Sequence, residues 1–346
     1  MNPIIWIILI STLSTSTIIT MSSHHWLLAW LGLELNTLSI LPIIMKPMHP
    51  RATEAATKYF LIQTTAATLI LFTSTLNAWK TGHWNIFLPS STLSNTILLS
   101  AILLKMGIAP AHLWYPDIIQ GSSMLTALTI STWQKLAPLT LLYLTINHMS
   151  TPTMLLAALL SVLVGGWAGL NQTQTRKIMA FSSIAHMGWL IAALTMNPHV
   201  TTLTLTTYMI LTTATFLSFT TTTAKTLQDL STTWSHSPAL ATMTILILLS
   251  LGGLPPLTGF MPKLLILKEL IAIKLISTST MLALMSLPSL YFYTRMAYFT
   301  IITTPPNTTC TKHNWRLTNN NNTKPTLILS LATMMLPLLP LLHMTT

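Results

Sequence analysis

Four ionisable residues lie inside long apolar runs, and all four side chains can carry a proton. Glu34 sits mid-run in Trp26–Met45, and Lys135 is central in residues 123–146. Lys105 lies towards the end of a run that starts at Ser91, and Lys263 falls within 239–268. A charge at membrane depth is costly, so each group must be neutral, paired or facing water, and each is a functional candidate by default. Burial favours the neutral form of a lysine, whereas a nearby carboxylate favours the charged form. A lysine held between those influences accepts and releases a proton when its partner moves. His112 and His186 add imidazoles, which titrate near neutrality and can pass protons between lysines. The chemistry expected is a proton relay through Glu34, Lys105, Lys135, Lys263, His112 and His186. The bland alternatives are a packing glutamate at 34, lysines that snorkel to the interface, and histidines that only tie helices together.

The elements that position these groups are two interrupted apolar segments. The first contains Lys105-Met-Gly-Ile-Ala-Pro-Ala-His-Leu-Trp-Tyr-Pro-Asp117, and the second Leu251-Gly-Gly-Leu-Pro-Pro-Leu-Thr-Gly-Phe-Met-Pro-Lys263. Proline removes a backbone donor and clashes with the preceding turn, so each helix must break. Inside a bilayer, broken backbone survives only where protein or a water-filled cavity satisfies it. One such segment in each half of a membrane protein points to an inverted-repeat transporter and to its ion path.

The composition agrees. The chain has 346 residues, of which 51% are hydrophobic and only 6% charged, and its mean hydropathy is +0.64. A soluble domain carries about 25% charged residues. The formal net charge of +11 reflects bases at the ends of apolar runs, so it speaks for topology rather than nucleic acid. One cysteine, Cys310, excludes internal disulfides and iron–sulfur ligation by this chain alone. No Gly-rich nucleotide loop or metal-ligand motif is present. Residues 1–21 lack Lys and Arg, so the first apolar run is expected to be a retained membrane helix rather than a leader.

A membrane helix needs roughly 20 apolar residues, and the chain is expected to be all-α with about eleven spans. They are 3–20, 26–45, 55–79, the broken 92–114, 123–146, 153–170, 178–196, 201–223, the broken 239–268, 278–302 and 326–342. Threonine and serine within them can hydrogen-bond across helices. Gly165 and Gly169 have the spacing of a helix-packing pair. All of residues 1–346 are expected to form one integral domain. Lys46, Arg51, Lys58, Arg176, Lys177, Lys225, Lys312, Arg316 and Lys324 gather at loops of one side if the spans alternate, with Lys268 and Lys274 at the ninth loop dissenting. That side is expected to face the cytoplasm or matrix, with the N-terminus there and the C-terminus opposite. Residues 319–322, all Asn, read as a surface loop.

At these residues the sequence resembles a known family, subunit 2 of the NADH dehydrogenase of mitochondrial respiratory complex I. The resemblance covers nearly the whole chain. It rests on the two broken motifs, on Ser182-Ser-Ile-Ala-His-Met-Gly-Trp189, on Trp30-Leu-Gly-Leu-Glu-Leu-Asn36 and on the start Met1-Asn-Pro. It implies an antiporter-like proton-pumping fold of two inverted five-helix repeats, each with a discontinuous helix. It also implies a polar axis with a Glu34–Lys105 pair, a central Lys135 and a distal Lys263. The implied setting is the mitochondrial inner membrane, with a matrix N-terminus and an intermembrane C-terminus. The implied partners are other complex I membrane subunits, including sister antiporter-like subunits, and lipids, with no nucleic acid. FMN, iron–sulfur clusters and ubiquinone would belong to partner subunits, and none to this chain. Two rival functions remain at this stage: a subunit of a multi-subunit cation/proton antiporter, and a purely structural membrane scaffold.

Overall fold

The computed structural model describes residues 3–88, 91–235, 237–302 and 325–338. Cys310, Lys312, Arg316, Lys324, residues 319–322 and the end of the last expected span lie outside the described residues. Among the described residues every element is helical, and strand-like pairing is confined to two isolated bridges. Six helices are long and apolar enough to cross a membrane. They are α1 (Pro3–Ser22), α2 (Trp26–Met45), α3 (Pro50–Thr81), α8 (Thr151–Gly169), α9 (Thr175–Met196) and α10 (Pro198–Thr222). The shorter helices are α4 (Thr92–Met106), α5 (Trp114–Gly121), α6 (Met124–Ser131), α7 (Leu136–Thr145), α11 (Leu227–Leu230), α12 (Pro238–Gly252), α13 (Phe260–Ala272), α14 (Ile276–Met285), α15 (Leu287–Ile302) and α16 (Thr326–Met334).

The chain forms two compact units, Met1–Ala157 and Ala158–Thr346. In the first, α3 is the hub, packed against α2, α4 and α5. Its 32 residues span about 48 Å, longer than a hydrocarbon core of about 30 Å. The excess is the turn carrying Arg51, Glu54 and Lys58. Lys58 bonds Glu54 at 2.8 Å and Asp117 of α5 at 2.9 Å, all with exposed side chains. Lys46 at the end of α2 lies 4.4 Å over the ring of Trp6 at the start of α1. At the other end, Trp26 N donates to Trp84 O and Ile86 N to His24 O. Adjacent helices of this unit therefore run in alternating senses. In the second unit α10 packs on α9, α12, α13 and α16, and α12 packs on α15. An isolated bridge again joins the loop before α9 to the loop after α10, through Gln174 and Thr226.

The two expected breaks form, and they share a register. Each begins with a helix of 15 residues, α4 and α12. Each ends on a glycine in the left-handed region, Gly107 (φ 69°) and Gly253 (φ 81°). In both, the glycine N–H returns to the carbonyl three residues back and the next N–H to the carbonyl five back, which is the Schellman closure. In both, a proline three residues after the glycine blocks continuation, and the chain re-enters helix seven residues after it, at Trp114 and Phe260. Neither glycine tolerates a side chain. A Cβ on Gly107 would meet Tyr115 at 3.1 Å, and one on Gly253 would meet the Lys263 ammonium at 2.8 Å.

Two expectations need amendment. Residues 123–146 read as one straight helix, but α6 and α7 are separated by a 3₁₀ turn, Trp133–Lys135. Pro138 explains it, because its ring excludes the Gln134 carbonyl and it has no N–H to offer there. The Thr132 hydroxyl takes up the Leu128 carbonyl at 2.7 Å. Likewise 278–302 divides into α14 and α15 around Ser286, just before Pro288. The helix hydroxyls mostly return to carbonyls three or four residues back, as from Ser16 to Leu13 and Thr73 to Ile70, rather than bridging helices. That local bond satisfies the hydroxyl without requiring a partner on a neighbouring helix. Gly165 behaves as a packing glycine, since a Cβ there would stand 2.7 Å from Ala185 N.

Candidate functional site

Lys105 occupies the last turn of α4, where the carbonyl end of the helix attracts a cation. Lys135 ends the 3₁₀ turn between α6 and α7. They are 6% and 3% exposed, so both side chains are buried within the first unit. They line one cavity with Asn36, Tyr59, Gln63, Tyr115 and Gln134. About 20 Å³ of it is open to water centres, enough for one molecule, which needs roughly 10–15 Å³. Its polar groups are already chained. Gln134 Nε2 donates to Asn36 Oδ1 at 3.0 Å, the Tyr59 hydroxyl donates to Gln134 Oε1 at 3.4 Å, and Gln63 Nε2 donates to Lys105 O at 3.2 Å. Lys135 Nζ stands 4.9 Å from the centre of the Tyr115 ring.

Glu34 projects from α2 two residues before Asn36. Its Oε2 and the Lys105 ammonium are both buried without a hydrogen-bond partner among the described residues. No direct bond therefore joins them.

The second unit holds a second cavity, of about 30 Å³ open to water centres, lined by His186, Trp189, Thr204, Thr207, Tyr208 and Lys263 among others. Lys263 Nζ donates to Gly252 O at 2.9 Å. The ammonium thus sits on the carbonyl end of α12, where the helix dipole favours it. The bare Cα of Gly253 makes room for this return. His186 Nε2 lies 3.3 Å from the Tyr293 hydroxyl, and its ring is 5.6 Å from that of Tyr208.

The structure thus brings Lys105 together with Lys135, and His186 together with Lys263. His112 lines neither cavity; its Nδ1 turns back to Pro110 O at 3.1 Å. Sequence reasoning missed Asn36, Tyr59, Gln63, Tyr115 and Gln134. The signal was available, because amides inside apolar runs must be satisfied by partners at the same depth.

Comparison with known proteins gives the family and the fold. Residues 23–304 match the family model for the transmembrane part of NADH:quinone oxidoreductase and Mrp antiporters. Residues 290–343 match that for the C-terminus of NADH dehydrogenase subunit 2. NADH-ubiquinone oxidoreductase chain 2 of Carassius auratus is 50% identical over 98% of both chains. The chain belongs to this family. The same protein of Salmo salar is 51% identical, over 99% of this chain and 97% of its own. That of Gallus gallus is 48% identical over 99% of each. Among solved structures, a chain of respiratory complex I from Thermus thermophilus with bound aureothin superposes with a TM-score of 0.81 at 27% identity. It matches 95% of this chain and 78% of that one. The Mrp complex from Dietzia sp. gives a TM-score of 0.75 at 16% identity, over 86% of this chain and 61% of that one. That likeness is one of fold. The family therefore shares its fold with antiporter-type membrane subunits, and the buried lysines of this member lie at its helix breaks.

Proposed function

We propose that this chain is a proton-translocating membrane subunit of NADH:ubiquinone oxidoreductase in the mitochondrial inner membrane. The observation that carries the reading is the pairing of Lys105 and Lys135 across one water-sized cavity beside a broken helix. Proton movement needs carriers at the same depth and backbone that can switch between two arrangements. The broken helices supply both. Lys263 and His186 extend the carriers into the second half, and Glu34 sets the charge at the first. His112 lies at the first break, outside both cavities, with its ring on the Pro110 carbonyl, and is kept as a relay candidate at the mouth of that break. Electron transfer then belongs to partner subunits, which hold FMN, the iron–sulfur clusters and the ubiquinone site. The one cysteine of this chain is too few for a cluster.

The matching registers of α4/α5 and α12/α13 support an internal repeat, and so do the bridges before α2 and before α9. Reading α4/α5, α6/α7, α12/α13 and α14/α15 as one crossing each, with α16, brings the spans to eleven. Five crossings per repeat is an odd number, so the second repeat enters the bilayer in the opposite sense. The two compact units are halves of one integral domain. The apolar side chains that α1 leaves exposed, such as Ile4, Ile7 and Ile18, suit lipid or neighbouring membrane subunits, including sister antiporter-like subunits. No nucleic acid is involved.

The rival is an antiporter complex that works without NADH. Isolation of the chain under mild detergent separates the two. Flavoprotein and iron–sulfur proteins are expected to copurify, with NADH:ubiquinone reductase activity. A chain isolated with only antiporter-type membrane partners would support the rival. Orientation has its own test. The bases around Lys46 and Arg51 are exposed and are expected to face the matrix, with the N-terminus beside them and the C-terminus in the intermembrane space. A membrane-impermeant amine reagent added to mitoplasts is expected to leave Lys46 unlabelled until the inner membrane is opened. Efficient labelling of intact mitoplasts would reverse the assignment.

A further inference from the structure

We propose that Tyr115 is a positioning residue for Lys135, its aromatic face holding the lysine ammonium over the cavity shared with Lys105. The inference rests on the proton-translocating reading above and names a group that reading does not require. A cation within about 6 Å of a ring centre is attracted by the negative face of the ring, most strongly where water is excluded. The Lys135–Tyr115 distance is 4.9 Å. Tyr115 is 1% exposed and Lys135 3%, so the contact is desolvated on both sides. The ring face is one feature that favours the charged form of Lys135.

The ring is fixed in place. The Tyr115 side chain lies against the bare Cα of Gly107, where a Cβ would be only 3.1 Å away. Trp114 meets it edge-on with ring centres 5.6 Å apart. Tyr115 N donates to His112 O at 3.0 Å, closing the turn that starts α5. Tyr115 therefore belongs to the far half of one broken helix, while Lys135 belongs to the break between α6 and α7. The contact joins the two breaks. A displacement of α5 would carry the ring away from the ammonium and make Lys135 a better proton donor, which turns a backbone movement into proton release.

The second unit is built otherwise. The residue at the register of Tyr115 is Met261, and Lys263 bonds a helix carbonyl, with Trp189 farther off at 5.9 Å. The closer aromatic contact, made by a ring of the broken helix itself, belongs to the first half.

The test uses the assembled holoenzyme in proteoliposomes, with Tyr115→Phe, Tyr115→Leu and Tyr115→Met beside Lys135→Ala. Phenylalanine keeps the face and loses the hydroxyl, and is expected to pump within about twofold of the parent. Leucine and methionine keep apolar bulk without the face, and are expected to slow NADH-driven proton uptake by roughly tenfold at equal complex content. A packing role alone predicts that methionine, which adapts to irregular gaps, is tolerated. Leucine and methionine variants that pump normally while Lys135→Ala does not would overturn the inference and leave the broader reading intact. A phenylalanine variant as slow as leucine would also overturn it, since the hydroxyl would then be the active group. Normal pumping by Lys135→Ala would remove the reading beneath it. A structure of the Tyr115→Phe holoenzyme supplies a measure independent of how the other variants assemble. The ammonium is expected over the ring, and an ammonium turned away from it would overturn the assignment.

Discussion

Replacing Lys135 with alanine is expected to stop NADH-driven proton translocation while leaving the respiratory complex assembled. Lys135 is one of two ammonium groups in a cavity with room for about one water molecule. The other polar groups lining it are amides, phenols, the Thr37 hydroxyl, the Trp114 indole and Lys135. Amides and phenols are poor acceptors near neutrality, where a desolvated lysine is a competent one. A correctly placed proton carrier contributes roughly a hundredfold to ten-thousandfold in rate, so loss of the amine is expected to cost at least about a hundredfold in proton transfer through this subunit. Coupled NADH:quinone turnover falls with it if pumping gates electron flow. Assembly is the necessary control. Alanine removes a buried charge together with its methylenes, and the void costs a few kcal/mol at most. Lys135→Met keeps the volume and is expected to show the same functional loss with less destabilisation. The measurement is protons moved per electron in proteoliposomes, alongside complex content. Both variants assembling with an undiminished ratio would leave only the scaffold role.

The breaks at Gly107 and Gly253 were legible because glycine and proline change backbone geometry by covalent means that no tertiary context reverses. The burial of Lys105 and Lys135 was legible too, because a residue well inside a long apolar run has apolar neighbours on either side of it. The interruption beside Lys135 was less so. Pro138 was visible, but a proline inside an apolar run signals either a kink or a break, and the helices packed against this segment are α1, α2 and α4. The company each lysine keeps was not legible at all. Tyr115 faces Lys135 only because the turn after Gly107 folds the start of α5 back, and a turn of that kind fixes side-chain direction through packing rather than spacing. His112 shows the same limit from the other side. Its position at the break made it a relay candidate, and its ring nitrogen lies 3.1 Å from the Pro110 carbonyl two residues away, outside both cavities. Short-range hydrogen bonds of this sort compete with any longer-range role and are not visible in residue type. Lys263 differs from Lys105 in a way the sequence did contain. One lysine precedes its glycine and the other follows it, so one ends its helix and the other returns to cap it.

Glu34→Gln and Lys105→Met are each expected to impair pumping, and together to cost less than the product of the two losses. Glu34 Oε2 and Lys105 Nζ are both buried, and neither has a hydrogen-bond partner among the described residues. An unpartnered buried charge is strongly unfavourable, so each group depends on the field of the other or on losing its charge. Opposite charges about 6 Å apart at an effective dielectric constant near 20 attract by roughly 3 kcal/mol. That is about a hundredfold in the equilibrium between the charged and neutral pair. Glutamine leaves the Lys105 ammonium without its counter-charge and favours its neutral form. Methionine leaves the Glu34 carboxylate in the same position with the sign reversed. The double variant removes both charges, so the second substitution has less to disturb. A double-mutant cycle on proton-uptake rate measures the coupling, which is expected at about 1–3 kcal/mol. Additive losses would show that the two residues act independently, and the pair would then have no switching role. The missing direct bond matters for the mechanism. A carboxylate and an ammonium locked together would resist separation, whereas a pair held by field alone shifts protonation when a neighbouring charge changes. The Tyr59 hydroxyl donates to Gln134, the residue before Lys135, so the hydrogen bonds of this cavity end at the turn that carries the second lysine.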